Sequence, residues 1–354
     1  MSQMETKIVA ITNLAAQGTE LAAAGAIIRG GGLVAFPTET VYGLGANGLD
    51  AEACAGIYAA KGRPSDNPLI LHVANRAMVD MIAAEVTPLA EKLLAAFCPG
   101  PITLILRKKA IVPARITGGL DTVGIRMPDH DIARALIQQA GVPIAAPSAN
   151  ISGRPSPTTA ASVYRDMAGR IPLILDGGPC SFGVESTIVD CSGETATILR
   201  PGGITREMLT EVLGEVALDT ALAGAGRVPR APGMKYTHYA PKAPLTLIEG
   251  QPHAMAVAFR RELTKRQLLG HVVGSLASRE VASALEDLLP AELIAVYGRQ
   301  GDLPALAANL YEALRSFDTK PADCLLAEGT TEEGLGLAIM NRLHKASGFR
   351  SIKA

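Results

Sequence analysis

The chain has no tryptophan, and aromatic residues make up only 4% of it. Proteins that read single-stranded RNA stack bases on aromatic side chains interleaved with cations, so this shortage argues against RNA binding as the main role. Charge of one sign is also missing: 33 Lys and Arg stand against 34 Asp and Glu, a formal net charge of −1. That balance gives no global basic field for nucleic acid, although a local patch stays open. The five cysteines (Cys54, Cys98, Cys180, Cys191 and Cys324) are odd in number and form no C-x-x-C pair. Neither a disulfide framework nor a zinc site is indicated, and reduced thiols are expected. No uninterrupted apolar run approaches ~18 residues, and no apolar leader with a cleavage site opens the chain. A cytoplasmic protein without a membrane span is therefore expected. There is no G-x-x-x-x-G-K-[ST], which disfavours a P-loop ATPase, and no Ser/His/Asp or Cys/His constellation for covalent catalysis.

What is present is apolar bulk and punctuation. At 354 residues, 48% hydrophobic and mean hydropathy +0.23, the chain can bury the cores of two domains. The stretch 36–73 reads FPTETVYGLGANGLDAEACAGIYAAKGRPSDNPLILHV. An apolar strand at 33–36 stops at Pro37, which cannot donate to a ladder. Thr38, Glu39, Thr40 and Tyr42 follow, then Gly43, Gly45 and Gly48, which permit positive φ or close backbone approach to a ligand. Asp50 is a suitable N-cap for a helix over 51–61. Lys61-Gly62-Arg63-Pro64 is a helix stop, Ser65-Asp66-Asn67-Pro68 is a second polar loop, and 69–73 is a strand carrying His72. Strand ends, polar loops and a helix between them make the layout of an α/β ligand site. Lys61 and Arg63 beside hydroxyls and an amide suit an anion such as phosphate; solvated cations at a helix end are the competing reading.

Further helices are expected at 19–29, 76–84, 88–97, 131–140 and 205–213, and strands at 102–107, 122–127, 144–147, 171–176, 186–190 and 196–199. From about 216 to 244 prolines and glycines prevent regular structure. Residues 221–244 hold four cations (Arg227, Arg230, Lys235, Lys242) and no acid. Beyond lie strands at 245–248, 271–273 and 293–296 and helices at 254–264, 303–316 and 335–344, a small parallel α/β domain. The resulting division is a catalytic domain over 1–215, a Pro/Gly-rich basic linker and possible lid over 216–244, and an accessory domain over 245–354.

Gly43-Leu-Gly45-Ala-Asn-Gly48 fits G-x-G-x-x-G, but six residues separate the first glycine from its strand, so dinucleotide binding is disfavoured. Lys61, Arg63, Arg126 and Arg200 fall at strand or helix ends beside Asn67, Ser148, Asn150 and Ser186. Singly each is an ordinary surface charge or capped turn; together they suit a polyanion.

The words PTETVYGLG at 37–45 and KGRPSDNPL at 61–69, followed by CPGPITLIL, VGIRMP, APSANISG, STIVD and ILRPG, resemble the YrdC-type family, the threonylcarbamoyl-AMP synthases. APGMKYTHYAP at 231–241 resembles a segment of the longer, two-domain members. The family usually has an aromatic before its PGP; Cys98 stands here, a packing variation. The resemblance implies an N-terminal YrdC-like twisted mixed sheet with helices and a small C-terminal Rossmann-like parallel α/β domain. It implies synthesis of L-threonylcarbamoyl-AMP and pyrophosphate from L-threonine, bicarbonate and ATP, with Mg²⁺ arriving on ATP and no protein metal site. The product would pass to a separate tRNA threonylcarbamoyl transferase complex; weak contact with tRNA itself is a further expectation. On matching positions, Lys61 and Arg63 would be catalytic. ATP would meet Lys61, Arg63, Asn67, Thr122, Ser148, Asn150, Ser156, Arg200, Tyr236 and His238. Threonine would meet Thr40, His72, Arg126, Ala146 and Ser186, with Thr122 and Ala146 acting through backbone groups. For His72 a core histidine with one hydrogen bond is the plainer alternative. An RNA-binding module and a carbamoyl-transferring enzyme on the same domain are the other functions weighed.

Overall fold

The structure, a computed structural model, describes residues 4–220 and 238–354. By contact these fall into two units: 4–152, 157–181 and 185–220 in the first, and 153–156, 182–184 and 238–354 in the second. Residues 221–237, most of the expected lid, lie outside the described residues.

The first unit runs β1 (Lys7–Ala10), α1 (Gly18–Arg29), β2 (Val34–Phe36), β3 (Gly43–Asn47), α2 (Ala51–Lys61), β4 (Ile70–His72), α3 (Arg76–Ile82), α4 (Pro88–Phe97), β5 (Ile102–Arg107), β6 (Thr122–Arg126), α5 (Asp131–Ala140), β7 (Ile144–Ala145), α6 (Ala160–Met167), β8 (Leu173–Asp176), β9 (Thr187–Asp190), β10 (Thr197–Arg200), α7 (Arg206–Leu213) and β11 (Ala217–Leu218). Its strands form one mixed sheet in the order β1-β8-β2-β3-β7-β4-β6-β5-β9-β10-β11. The second unit runs β12 (Leu245–Glu249), α8 (Pro252–Leu268), β13 (Val273–Ser278), α9 (Arg279–Ser283), β14 (Ile294–Gly298), α10 (Leu303–Ser316), β15 (Cys324–Glu328), α11 (Leu335–Ala346) and β16 (Ser351–Lys353). Its sheet, β14-β13-β15-β12-β16, is parallel at every pairing. The expected fold class, a mixed α/β sheet followed by a parallel α/β domain, is what the chain adopts.

Local chemistry explains the elements that flank the site. The Asp50 carboxylate accepts from the amides of Glu52 and Ala53 at the start of α2, and Gly62 ends it in the left-handed region at φ 61°. A side chain there would meet its own backbone, so glycine releases the chain into the loop that follows. Pro88 opens α4 in its first turn, behind a Thr87 cap.

Strand alternation then decides which side chains reach the site. Leu71 and Ile125 join Leu104 and Val189 in the main core. The intervening Ile70, Ile105 and Ile188 form a separate small cluster with Leu199. His72, two residues on from Ile70, pairs in register with Arg126. Both therefore rise from the face that carries this small cluster.

Several expectations need correction. Gly43, Gly45 and Gly48 were expected to free the backbone near a ligand, yet Gly43–Asn47 is strand β3, antiparallel to β2, and none of the three has positive φ. The glycines are there for space: a Cβ on Gly45 would sit 2.8 Å from Ile144 Cγ2 and 2.9 Å from Phe36 Cε1. The strand expected at 144–147 pairs only at Ile144–Ala145, because Pro147 has no donor to continue it. The strand expected at 271–273 starts at Val273 and runs to Ser278; its glycine and serines hide it from a propensity reading. The strands β1, β11, β15 and β16 and the helices α6 and α9 carry too little pattern for their length and went unread.

Gly45→Val is expected to destabilise the first unit by about 1–3 kcal/mol through overpacking, seen as a lower urea midpoint with an unchanged slope. An unshifted midpoint would show that β3 has room to spare.

Candidate active site

The loop between β2 and β3 turns back through hydroxyl bonds. Thr38 Oγ1 donates to the Val41 carbonyl (2.7 Å) and lies 2.9 Å from Thr40 Oγ1. This sets Thr40 and Glu39 against Arg126 at the end of β6. Arg126 Nη2 donates to Thr40 Oγ1 at 2.9 Å and lies 2.8 Å from Glu39 Oε2, with both charged side chains almost wholly buried. The ion pair is poorly aligned: neither Glu39 oxygen accepts a hydrogen bond, and Arg126 Nε has no partner. A buried carboxylate and guanidinium with unused capacity are costly unless something completes them. Nothing in the sequence reading assigned Glu39 a role. The signal was there: it is the only charged residue between Arg29 and Asp50.

His72 shares the register row of Arg126. Its Nδ1 lies 3.3 Å from the Ile70 carbonyl, and its ring meets Phe36 edge-on at 6.0 Å. Burial, helped by the Arg126 charge, pushes its pKa from 6.5 down to about 3, so the imidazole is neutral at physiological pH. Behind the loop, burial also holds His130 below its usual range. On the neighbouring strands Ser186 Oγ is 2.8 Å from Thr103 Oγ1. Arg200 donates to the Ser186 carbonyl from Nε (3.1 Å) and Nη2 (3.0 Å), and to Ser186 Oγ from Nη2 (3.1 Å). Thr103, unforeseen, joins this group because its strand alternation points it to the same face.

A second group forms where α2 ends. Lys61, only 2% exposed, donates from Nζ to the carbonyls of Ser148 and of Asn150, the latter at 2.6 Å. Ser148 Oγ donates to Asn150 Oδ1 at 2.5 Å, and the Ser152 amide donates back to the Lys61 carbonyl at 2.9 Å. The solvated-cation alternative therefore fails for Lys61. Arg63 Nη2 donates to the carbonyls of Asn67 (3.3 Å) and Pro68 (2.9 Å), while the buried amide Nδ2 of Asn67 has no partner. The two groups adjoin through the backbone, since the Ala149 amide donates to the Tyr42 carbonyl at 2.8 Å.

Other expected residues sit elsewhere. Thr122 begins β6, paired with Arg107, at the far end of that strand from Arg126. The Ala146 amide is already given to the Ile70 carbonyl at 2.9 Å, so it has no free donor for a ligand. Ser156 is buried in the short segment 153–156 that groups with the second unit. His238 also belongs to that unit, its ring 5.6 Å from Tyr239, and Tyr236 lies outside the described residues. Among the described residues no group of three or more His, Cys, Asp or Glu could hold a metal ion, and no helix is long and apolar enough to cross a membrane.

The depressed His72 pKa has a definite sign. Between pH ~6.5 and ~3 the unfolded chain takes a proton here that the folded chain refuses. The stability involved is complete above the unfolded value and is lost as the pH falls toward the folded one. Urea midpoints measured from pH ~7 to ~5 should fall less steeply for His72→Gln than for the parent chain; parallel slopes would mean that His72 is not the group titrating.

Comparison with known proteins places the whole chain in a family. A family profile described as "Telomere recombination" matches residues 26–202, and one described as "Threonylcarbamoyl-AMP synthase, C-terminal domain" matches 204–348. The chain is 47% identical to a threonylcarbamoyl-AMP synthase of Bacillus subtilis, over 99% of this chain and 100% of that one. It is 47% identical to one of Pyrococcus abyssi, over 93% and 94%. A crystal structure of P. abyssi Sua5 complexed with L-threonine superposes with a TM-score of 0.92 at 44% identity, covering 99% of each chain. With both domains matched in order along nearly its whole length, the chain belongs to the two-domain Sua5/YrdC family of threonylcarbamoyl-AMP synthases, a family of nucleotidyltransferase-type enzymes.

Proposed function

We propose that the chain condenses L-threonine, bicarbonate and ATP into L-threonylcarbamoyl-AMP and pyrophosphate. One observation carries this reading: Arg126 and Glu39 are buried together with unused hydrogen-bonding capacity of opposite sign. A zwitterionic amino acid completes such a pair, its carboxylate on the guanidinium fork and its ammonium on the carboxylate. Thr40 and Ser186 supply hydroxyls for the threonine side chain, and neutral His72 can exchange a hydrogen bond without adding charge. The P. abyssi relative is named as a complex with L-threonine, which agrees with that assignment.

The chemistry divides between the two groups. Once its ammonium has given up a proton, the threonine amine attacks bicarbonate, forming the carbamate and releasing water. A carbamate oxygen then attacks the α-phosphorus of ATP, and pyrophosphate leaves. No covalent enzyme intermediate is required, so positioning and charge neutralisation supply the rate. Lys61 is the residue held for this, with Ser148 and Asn150 fixing its ammonium and Asn67 offering a buried donor nearby. Arg63 and Arg200 complete the cationic border. Mg²⁺ would come with the nucleotide and help neutralise its phosphates. The adenylate would be handed to a separate transferase acting on tRNA adenosine in the cytoplasm. The RNA-binding alternative fits less well, because Lys61, Arg126 and Arg200 are buried and cannot lie along a phosphate backbone.

Pyrophosphate release is expected to require both L-threonine and bicarbonate; equal release with either left out refutes the synthase reading. Arg126→Ala should weaken threonine binding by about 1.5–3 kcal/mol, roughly ten- to hundredfold, with ATP binding little changed. Lys61→Ala and Arg200→Ala should mainly depress ATP use; matching losses of both ligands in all three variants would dissolve the division. Glu39→Gln should remove the preference for threonine over its amine-free analogue, a dihydroxy acid. If the two ligands weaken equally, Glu39 only steadies Arg126.

A further inference from the structure

The second unit contains a cavity of about 530 Å³, within the ~300–1,000 Å³ usual for small-molecule sites. It opens at the carboxyl ends of four parallel strands: Glu249 closes β12, Ser278 closes β13, Gln300 follows β14 and Glu328 closes β15. Parallel crossovers are right-handed, so the sheet order sends α8 and α9 to one face and α10 and α11 to the other. The contacts agree, α8 against α9 and α10 against α11. β13 and β15 are neighbours whose following helices leave on opposite faces. That is a topological switch point, the place where open α/β sheets bind ligands.

The floor of the cavity is built, not merely empty. Glu328 is 2% exposed and fixed at both oxygens: Oε2 accepts from the Ser278 amide at 2.6 Å and Oε1 from Gln300 Nε2 at 2.8 Å. Tyr297 donates to its carbonyl at 2.8 Å. Each carboxylate oxygen keeps a further lone pair, so Glu328 is a rigid acceptor facing a space that needs a donor. Three carboxylates (Glu249, Glu328, Glu332) line the space against one ammonium, Lys353, which is held by Glu249 at 2.8 Å. That balance repels phosphate. Met255, Met340 and Leu306 give the remaining wall an apolar, adaptable surface.

We infer that this cavity binds a phosphate-free nucleoside, its ribose hydroxyls donating to Glu328 and its base lying against Met255 and Met340. A carboxylate at a strand end beside a glycine-containing turn is the chemistry that recognises a ribose diol in dinucleotide folds; here no cation cluster accompanies it for a pyrophosphate. The site is separate in its residues from Lys61 and Arg126 and does not depend on the reaction proposed for them.

The test is calorimetric titration of the full chain with each of the four common ribonucleosides in saturating ATP, so that a nucleotide site elsewhere is filled. At least one should bind, and its analogue lacking both ribose hydroxyls should bind about tenfold more weakly or worse. Glu328→Gln should cause a loss of the same order. Thr330→Phe, which fills the cavity without touching the carboxylate, should abolish the uptake while pyrophosphate release persists. The inference is overturned if no nucleoside binds under ATP, if the hydroxyl-free analogue binds equally, or if uptake is unchanged in either variant.

Discussion

Holding cations out of water is the constraint that shapes the first domain. Lys61, Arg126 and Arg200 are between 2% and 6% exposed, and a buried charge is tolerated only where the chain provides acceptors at the right distance. For Lys61 those acceptors are carbonyls of the 148–150 loop, so the end of α2 and the chain after β7 must come together. For Arg200 they are the Ser186 carbonyl and hydroxyl on the neighbouring strand. For Arg126 they are Thr40 and Glu39 in the loop joining β2 to β3. Lys61 and Arg126 thus each stitch two segments distant in sequence, Arg200 ties the β9-β10 pair together, and the three contacts draw the candidate site.

The same requirement explains the sheet. The elements that serve Lys61 and Arg126 adjoin β2, β3, β6 and β7, and β2-β3-β7-β4-β6 lie side by side, with β5 between β6 and the β9-β10 pair that serves Arg200. Small residues let them do so: Gly124 on β6 stands where a Cβ would meet Thr103 Cγ2 at 3.2 Å and Ile70 Cγ1 at 3.3 Å. Beneath the polar groups, Ile70, Ile105 and Ile188 supply an apolar bed, which lowers the local dielectric and strengthens every interaction made above it.

Punctuation was legible in the sequence, and register was not. The bounds of α2 could be read because Asp50 and Gly62 each have one clear physical use. Lys61 and Arg63 stood out because they bracket a helix stop, Lys61 in the last turn of α2 and Arg63 just beyond Gly62. By contrast β3 hid behind its glycines, which were read as freedom when their task is tight packing. Glu39 drew no role because nothing near it in sequence is a cation; only the fold, which brings Arg126 to the loop, makes it a buried partner. Thr103 was invisible for the same reason, since which face a strand residue meets depends on register. The resemblance of whole words named candidate residues, but it could not say which of them touch.

The polar groups around Arg126 and those around Glu328 are satisfied to different degrees. Polar groups in the first domain are left with spare donors and acceptors, as at Glu39, Arg126 and Asn67. A preorganised site of this kind costs folding stability, and that cost is recovered when a ligand completes it. Glu328 in the second domain is instead satisfied once at each oxygen. Its carboxylate is therefore held in place by the fold itself, and a ligand above it would add stability set by its own affinity and concentration. The group around Arg126 is thus incomplete without a partner that offers both charges, whereas Glu328 is already positioned. Charge held in place before a ligand arrives is what preorganised electrostatic stabilisation requires, so the cost of leaving Glu39, Arg126 and Asn67 incompletely paired falls where a bound ligand can offset it.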